Sequence, residues 1–224
     1  VIVDSSKENE LDTVINEFRD DLVIKQIKVN KAYPGEARNI GVNSSANDLI
    51  AFVDSKTAPI DDWLEQYCGF LERGYDLVFG STQYQAFSSM QRIILSTIYG
   101  SKPVITTPGT ILNKSKFFII GSFAEGVRSS EDLEWRERSL LKNLKIYQPQ
   151  EAFLFYSDIS NSIFSEIKKQ FTYQIYASFL GVQLTVRTLI FSLVLLLITL
   201  LIPQWNALVG WEDSLLYIPD ITKS

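Results

Sequence analysis

An α/β fold with a mostly parallel sheet flanked by helices, followed by an apolar C-terminal helix, is the architecture that these 224 residues predict. Three observations lead there. Short apolar runs alternate with segments of helical period, the rhythm of strand–helix units. Two of those runs, Val1-Ile2-Val3-Asp4 and Leu49 to Asp54, end on an aspartate, at the strand ends where open α/β sheets collect ligands. After the rhythm stops, Thr188 to Ile202 is a charge-free apolar stretch, too apolar all round for a surface helix.

The elements follow in order. Asp4-Ser5-Ser6 stops the first run and signals a helix start. Leu11, Val14, Ile15 and Phe18 then recur at helical spacing. Val23 to Val29 alternates as a strand, which Pro34-Gly35 breaks. Ala37 to Ser45 reads as a helix and Asn47-Asp48 as a turn. Leu49 to Val53 is continuously apolar, as a central strand buried on both faces would be. Pro59 and Asp61 open a helix carrying Trp63, Leu64, Tyr67 and Leu71 on one face, stopped by Gly74. Leu77 to Gly80 is a further strand, Gln91 to Tyr99 reads as helical, Thr106 to Thr110 as a turn and Ile111-Leu112 as a short strand. Ser129-Ser130-Glu131-Asp132 has the small hydroxyls and early acids of a helix N-terminus, running to about Asn143. Lys145-Ile146-Tyr147 is a strand, and Ile163 to Phe179 is amphipathic with Lys168 and Lys169 on its polar side.

Composition excludes several chemistries. The chain has no histidine, so neither a Ser-His-Asp nor a Cys-His mechanism is available, and no metal site can use imidazole. Acid–base work falls to Asp, Glu, Tyr or Lys. Cys68, the single cysteine, cannot form an intrachain disulfide and reads as a small buried hydrophobe. A net charge of −5 argues against a general nucleic-acid partner. Val1 to Val3 reads as the middle of a strand, which implies a missing first strand and helix upstream; no signal peptide is visible.

The apolar stretch is a candidate for a membrane. Its insertion is favourable by roughly −4 to −7 kcal/mol. As a helix from Thr188 to Ile202 it is about 22 Å long, short of a hydrocarbon core of ~30 Å, so a full crossing needs extension past Arg187 or Pro203. Lys168, Lys169 and Arg187 precede it, while Glu212 and Asp213 follow, which by the positive-inside rule keeps the N-terminal domain on the cytoplasmic side of the cell membrane. Trp205 and Trp211 suit an interfacial belt. The expected division is a catalytic-type domain over 1–157, an amphipathic juxtamembrane segment over 158–186, a transmembrane or membrane-embedded helix over 187–205 and a tail over 206–224.

Asp4, Asp54 and the pair Glu131-Asp132 lie at strand or helix ends. Singly, each is as readily an N-cap as a site. Taken with Gly35-Glu36-Ala37-Arg38-Asn39-Ile40-Gly41, Ala51-Phe52-Val53-Asp54-Ser55 followed by Pro59, Pro108-Gly109-Thr110, Gly121-Ser122-Phe123, and Glu131-Asp132 with Trp135 and Arg138, the chain resembles a family 2 glycosyltransferase of the GT-A fold over about residues 1–157. The resemblance implies a nucleotide-sugar donor. Asp4 would contact its base, Arg38 would lie near the nucleotide, and Asp132 would be the general base toward the acceptor hydroxyl, with Glu131 beside it. Asp54 would be the first aspartate of the Asp-x-Asp motif, which holds the diphosphate through a divalent metal, Mg²⁺ or Mn²⁺. The second aspartate is Lys56 here. An ammonium cannot ligate such ions but can bring positive charge to the diphosphate. Arg138 would either orient its helix or approach phosphate.

The expected function is therefore a membrane-associated transferase moving a sugar from a nucleotide donor to a lipid-linked or polysaccharide acceptor, with inversion. Lys56 keeps a second reading open, a non-catalytic module of the same fold that binds sugar or nucleotide or scaffolds a membrane assembly. A third, a soluble α/β nucleotide-binding enzyme with the tail as its core helix, lacks a Gly-rich phosphate loop.

Overall fold

The computed structural model describes residues 1–6, 10–182 and 186–201. The chain divides into a unit over Val1–Val182 and a second over Gln183–Ser224. The first unit runs β1 (Ile2–Asp4), α1 (Glu10–Glu17), β2 (Gln26–Lys28), α2 (Pro34–Ser44), β3 (Leu49–Ala51), β4 (Thr57–Pro59), α3 (Trp63–Glu72), β5 (Leu77–Tyr84) and α4 (Ser89–Ile94), which continues as a π turn over Leu95–Tyr99. Then come β6 (Val104–Asn113), α5 (Lys114–Ile120), α6 (Glu131–Leu140), β7 (Ile146–Tyr147), β8 (Leu154–Tyr156) and α7 (Ile163–Leu180).

The sheet is mixed where a mostly parallel one was expected. Its order is β3-β6-β5-β8-β4, with β7 also on β5, and β1 and β2 form a separate parallel pair. β6 is antiparallel to both β3 and β5, and β4 is antiparallel to β8; β7 and β8 run parallel to β5. β6 accounts for the difference. It is a ten-residue strand that passes straight through the expected turn at Thr106 to Thr110. Val78 pairs with Ile111 but Gly80 pairs with Thr106, so residues 107–110 stand opposite Phe79 as a bulge. The backbone there finds other partners: Gly109 N–H donates to the Phe52 carbonyl (2.6 Å) and Phe52 N–H to the Thr110 carbonyl (2.9 Å). Gly80 N–H donates to Thr110 Oγ1 (3.1 Å) and the Trp63 indole to the Gly109 carbonyl (3.2 Å). Proline, which has no N–H, is tolerated in a strand at such a bulge.

β3 is also not the doubly buried central strand expected. It stands at the end of the strand order, with Ile50 buried and Leu49 and Ala51 exposed. Pro34, read as a breaker, instead opens α2 at its first turn, where a missing N–H costs nothing. Two clusters fill the interior. Phe52, Phe117, Phe123 and Trp135 pack with Val42, Leu77 and Leu112 in one. Trp63, Tyr67, Val78, Ile111, Phe153 and Leu154 form the other, with half-buried Cys68 against it. The first carries the site: Phe52 lies two residues before Asp54, and Trp135, four after Glu131, stacks on Phe123 at 4.8 Å.

The segment from 158 onward, expected to be a linker, belongs to the first unit through Val182. Gln91 Nε2 donates to the Ile159 carbonyl (2.7 Å) and Ser130 Oγ to the Tyr173 carbonyl (3.1 Å). α7 is amphipathic in the opposite sense to that expected. Glu166 is fully buried, while Phe164, Ile167, Phe171, Ile175 and Phe179 are exposed. In the second unit, α8 (Val186–Leu201) has 16 residues, about 24 Å of helix. Among the described residues no helix is long and apolar enough to cross a membrane; residues 202–205 of the expected span lie outside the described residues. Trp205, Trp211, Glu212 and Asp213 lie outside the described residues.

Gly80→Ala tests the bulge. A Cβ at Gly80 would stand 1.7 Å from the Pro108 carbonyl oxygen, a backbone atom that cannot swing away. The expected cost is about 3 kcal/mol, read as a lower urea midpoint at unchanged slope.

Candidate functional site

The site is assembled at the first turns of two helices. The α2 motif does four separate jobs there. Gly35 lets α2 approach the chain before α6: a Cβ at this position would lie 2.5 Å from the Ala124 carbonyl oxygen and 2.9 Å from Glu131 Cγ. Glu36 accepts from Tyr33 N–H and Gly126 N–H, both at 2.9 Å. Buried Asn39 accepts from Phe123 N–H (2.9 Å) and donates to the Phe123 carbonyl and to Glu125 (both 3.0 Å). Arg38 is left to reach into the site.

Arg38 joins three predicted residues. Its Nη1 donates to Glu131 Oε1 at 2.7 Å, and its Nη2 lies 3.2 Å from Asp54 Oδ1 and 3.4 Å from Oδ2. The guanidinium also lies over the Phe123 ring, 5.3 Å from its centroid. Burial works against its charge, but Asp54, Glu131 and Asp132 outweigh that and raise its pKa. Glu131 shifts upward, first through burial, with Asp132 adding repulsion and Arg38 opposing both. The expected Glu131-Asp132 repulsion is thus real but secondary. Glu131 Oε2 is buried with no hydrogen-bond partner, whereas half-buried Asp132 accepts from Leu133 N–H (2.9 Å) through Oδ1 alone. Ser130, which precedes the pair, is held in the left-handed region at φ 68°, a strained geometry of the kind that persists where surrounding contacts enforce it.

The other predicted residues lie apart from this triad. Asp4 accepts from Ser6 N–H (2.8 Å), Ser6 Oγ (2.6 Å) and Gln26 Nε2 (3.1 Å), and these bonds, the Ser6 hydroxyl first, hold its pKa down. It has no bond to Arg38 or Asp54. Lys56 pairs with Asp158 across the β4–β8 edge, beside an open hollow of about 460 Å³ lined by Ser55, Lys56, Thr57, Ala58, Ser157 and Asp158. Arg138 does the first of its two expected jobs. It binds Glu134 through two bonds of 2.7 Å and donates to the carbonyls of Ile120 (2.8 Å) and Ser122 (2.7 Å). That engages both arms of its guanidinium in tying α6 to the end of α5.

The donor set does not fit a divalent ion. The carboxylate of Asp54 faces a guanidinium, the second motif position is an ammonium, and no group of three metal-ligating side chains occurs among the described residues. Hard cations require several oxygen donors together.

The sequence placed Lys169 on the polar side of α7 but did not show that this side packs inward. Glu166, Lys169, Gln170 and Tyr173 turn toward Tyr84, Tyr99 and Tyr156. Tyr84 stacks on Tyr99 (4.2 Å) and lies 5.1 Å from Tyr156. Tyr99 donates to Glu166, and Lys169 donates to Tyr99 at 3.0 Å. Burial foremost raises the Tyr84 and Tyr173 phenols to about 12, with Asp132 among the charges that add to it. The i, i+3, i+4, i+7 spacing of 166, 169, 170 and 173 is the signal that could have revealed this face.

A GT-A-like α/β domain with a guanidinium set between two carboxylates is the class that this fold and site define. Residues 1–133 match the family model for Glycosyl transferase family 2, more than half of the chain, and the chain belongs to that family. An uncharacterized glycosyltransferase of Rickettsia bellii (strain RML369-C) is 25% identical over 142 residues, 59% of this chain and 20% of that protein. Among solved structures, S. aureus TarS 1-349 in complex with UDP-GlcNAc matches with a TM-score of 0.55 at 18% identity, over 73% of this chain and 50% of that one. TarS without the 1-349 restriction gives 0.54 at 17%, over 75% and 32%. At such identity the likeness establishes the fold. The chain spans a fifth of the curated relative and half or less of these two TarS chains.

Arg38→Met is expected to cost about 3–5 kcal/mol at pH 8, because it leaves the Glu131 charge buried and unpaired. A carboxyl whose folded pKa exceeds its unfolded one stabilises at low pH, and that contribution fades as pH rises through the folded value. Without Arg38 the Glu131 pKa rises further, so the penalty at pH 5 should be smaller by at least about 1 kcal/mol. Equal penalties in denaturant titrations at the two pH values would contradict this account.

Proposed function

We propose that this chain transfers a sugar from a nucleotide-sugar donor to a hydroxyl of a lipid-linked or polysaccharide acceptor, with inversion at the anomeric carbon. The observation that carries the reading is the Asp54–Arg38–Glu131 linkage with Asp132 at its edge. It brings together, from three segments far apart in sequence, residues to which the resemblance gives donor and acceptor roles. The UDP-GlcNAc complex of the structural neighbour supports a nucleotide sugar as the donor class.

In this reading Asp132 accepts the proton of the attacking hydroxyl. Its partly open position, with no hydrogen bond on Oδ2 among the described residues, suits a base that must reach a substrate. Arg38 holds Asp54 and Glu131 in place, and Asp4 addresses the nucleotide base. Lys56 brings positive charge to the diphosphate after exchanging Asp158 for it; both partners are more than half exposed, so their pairing is weak enough to exchange. A membrane position, with the domain on the cytoplasmic side, is supported by the apolar α8 and by the outward Phe164, Ile167, Phe171, Ile175 and Phe179 of α7. Such a helix can lie in a lipid surface without spanning it.

The test is a panel of UDP-GlcNAc, UDP-glucose and GDP-mannose with membrane lipid extract as acceptor source. Turnover of at least one donor is expected, and none at all would sink the enzymatic reading in favour of a binding module. Asp132→Asn should lower kcat by 10²–10⁴-fold while donor Kd stays within a few-fold; equal loss of both would remove Asp132 as base. EDTA should leave the rate unchanged, whereas loss restored by Mg²⁺ or Mn²⁺ would overturn the role given to Lys56. Carbonate extraction should leave a membrane-embedded chain in the pellet and release one held only at the surface.

A further inference from the structure

The cleft that this reading requires is crowded with acids. Asp54, Glu131, Asp132, Asp158 and Glu166 each act on the phenol of Tyr84, Tyr156 or Tyr173, and Arg38 and Lys56 each already pair with a carboxylate. Arg38 is held by Asp54 and Glu131, and Lys56 meets a phosphate only by leaving Asp158. A diphosphate that gains charge on leaving, among so many acids, calls for a second cation beside Lys56. α7 supplies one. Lys169 Nζ lies over the rings of Tyr99 (5.6 Å), Tyr156 (5.8 Å) and Tyr173 (5.7 Å). Among the described residues it donates one hydrogen bond, to the Tyr99 hydroxyl (3.0 Å), and it forms a long ion pair with Glu166 Oε1 at 3.8 Å. An ammonium carries three donors, and this side chain is 30% exposed, so donors remain for a ligand.

Its surroundings tie it to both halves of the site. Tyr156 is the register partner of Thr57, the residue after Lys56, and Asp158 follows two positions later. On the other side, Tyr173, one turn beyond Lys169, accepts the Ser130 hydroxyl through its carbonyl, directly before Glu131-Asp132. The same helix therefore contacts the wall that bears Lys56 and the loop that presents Asp132. Glu166 does not need Lys169 as its only partner, since Tyr99 and Gln170 both donate to it.

We propose that Lys169 binds the diphosphate of the nucleotide sugar and receives the charge of the departing nucleoside diphosphate, in the place that a divalent ion would otherwise take. This rests on the transferase reading above. The acceptor oxygen forms its bond to the anomeric carbon as the bond from that carbon to the phosphate oxygen breaks. The electron pair stays on phosphate, the hydroxyl proton passes to Asp132, and Lys169 donates a hydrogen bond to the phosphate oxygen.

The experiment compares wild type, Lys169→Met and Lys169→Arg with whichever donor of the panel turns over. Lys169→Met should lower kcat by about 10²-fold and raise the inhibition constant of the product nucleoside diphosphate about tenfold, leaving acceptor KM unchanged. Lys169→Arg should restore most of both. Kinetics within twofold of wild type for Lys169→Met, an effect on acceptor KM alone, or a folded Lys169→Arg as inactive as Lys169→Met would each overturn the proposal. With folding of the variants set aside, reductive methylation of the wild-type protein offers a second measurement by mass spectrometry. The nucleoside diphosphate should protect Lys169, and absence of protection would overturn it. Failure of the underlying reading looks different, because wild type then turns over no donor at all.

Discussion

The architecture depends on one buried cation. Arg38 puts a guanidinium, with only 12% of its side chain exposed, between Asp54 from the end of the β3 segment and Glu131 from the start of α6. Burying an unpaired charge costs several kcal/mol, so neither carboxylate can leave without penalising the others. Three segments separated by up to 93 positions are thereby fixed to one another. The Phe123 ring beneath the guanidinium ties this polar knot to the aromatic core of Phe52, Phe117 and Trp135. The core thus sets where the charges stand, and the charges keep the two helix starts together.

Much of what looks like a binding motif in this chain is construction. Gly35, Glu36 and Asn39 anchor the backbone over residues 123–126, and only Arg38 of that block faces the carboxylates. Pro108-Gly109-Thr110 is a bulge whose backbone pairs with Phe52 and so aims the chain that carries Asp54. Arg138 closes α6 onto α5. Each is placed near the chemistry because the chemistry needs its acids held to within fractions of an ångström, and backbone hydrogen bonds to buried side chains do this at low entropic cost.

α7 shows a different economy. Its inner face is polar and joins the site through Glu166, Lys169 and Tyr173, while its outer face carries phenylalanines and isoleucines in solvent. A surface helix with a polar inner face is inverted relative to the usual soluble pattern. The tyrosines at that inner face are neutral at ordinary pH, the Tyr84 and Tyr173 phenols being raised to about 12, chiefly by burial.

The sequence by itself determined the α/β class, most helices, the acids at element ends and the absence of histidine chemistry. These are local facts: helical period, caps and turn residues are written within a few positions. Only the tertiary structure decided strand direction, because the pairing of β6 with β3 and β5 rests on a bulge whose partners lie some 30 and 57 positions away. It also decided which predicted residues meet. Arg38, Asp54 and Glu131 do, with Asp132 at their edge, whereas Arg138 bonds within α6 and to the end of α5, and Asp4 bonds Ser6 and Gln26. Lys168 and Lys169 are adjacent in sequence and similar in chemistry, yet one faces out and the other stands over three rings. Nothing local distinguishes them; a 100° step around the helix does, once the helix has been packed.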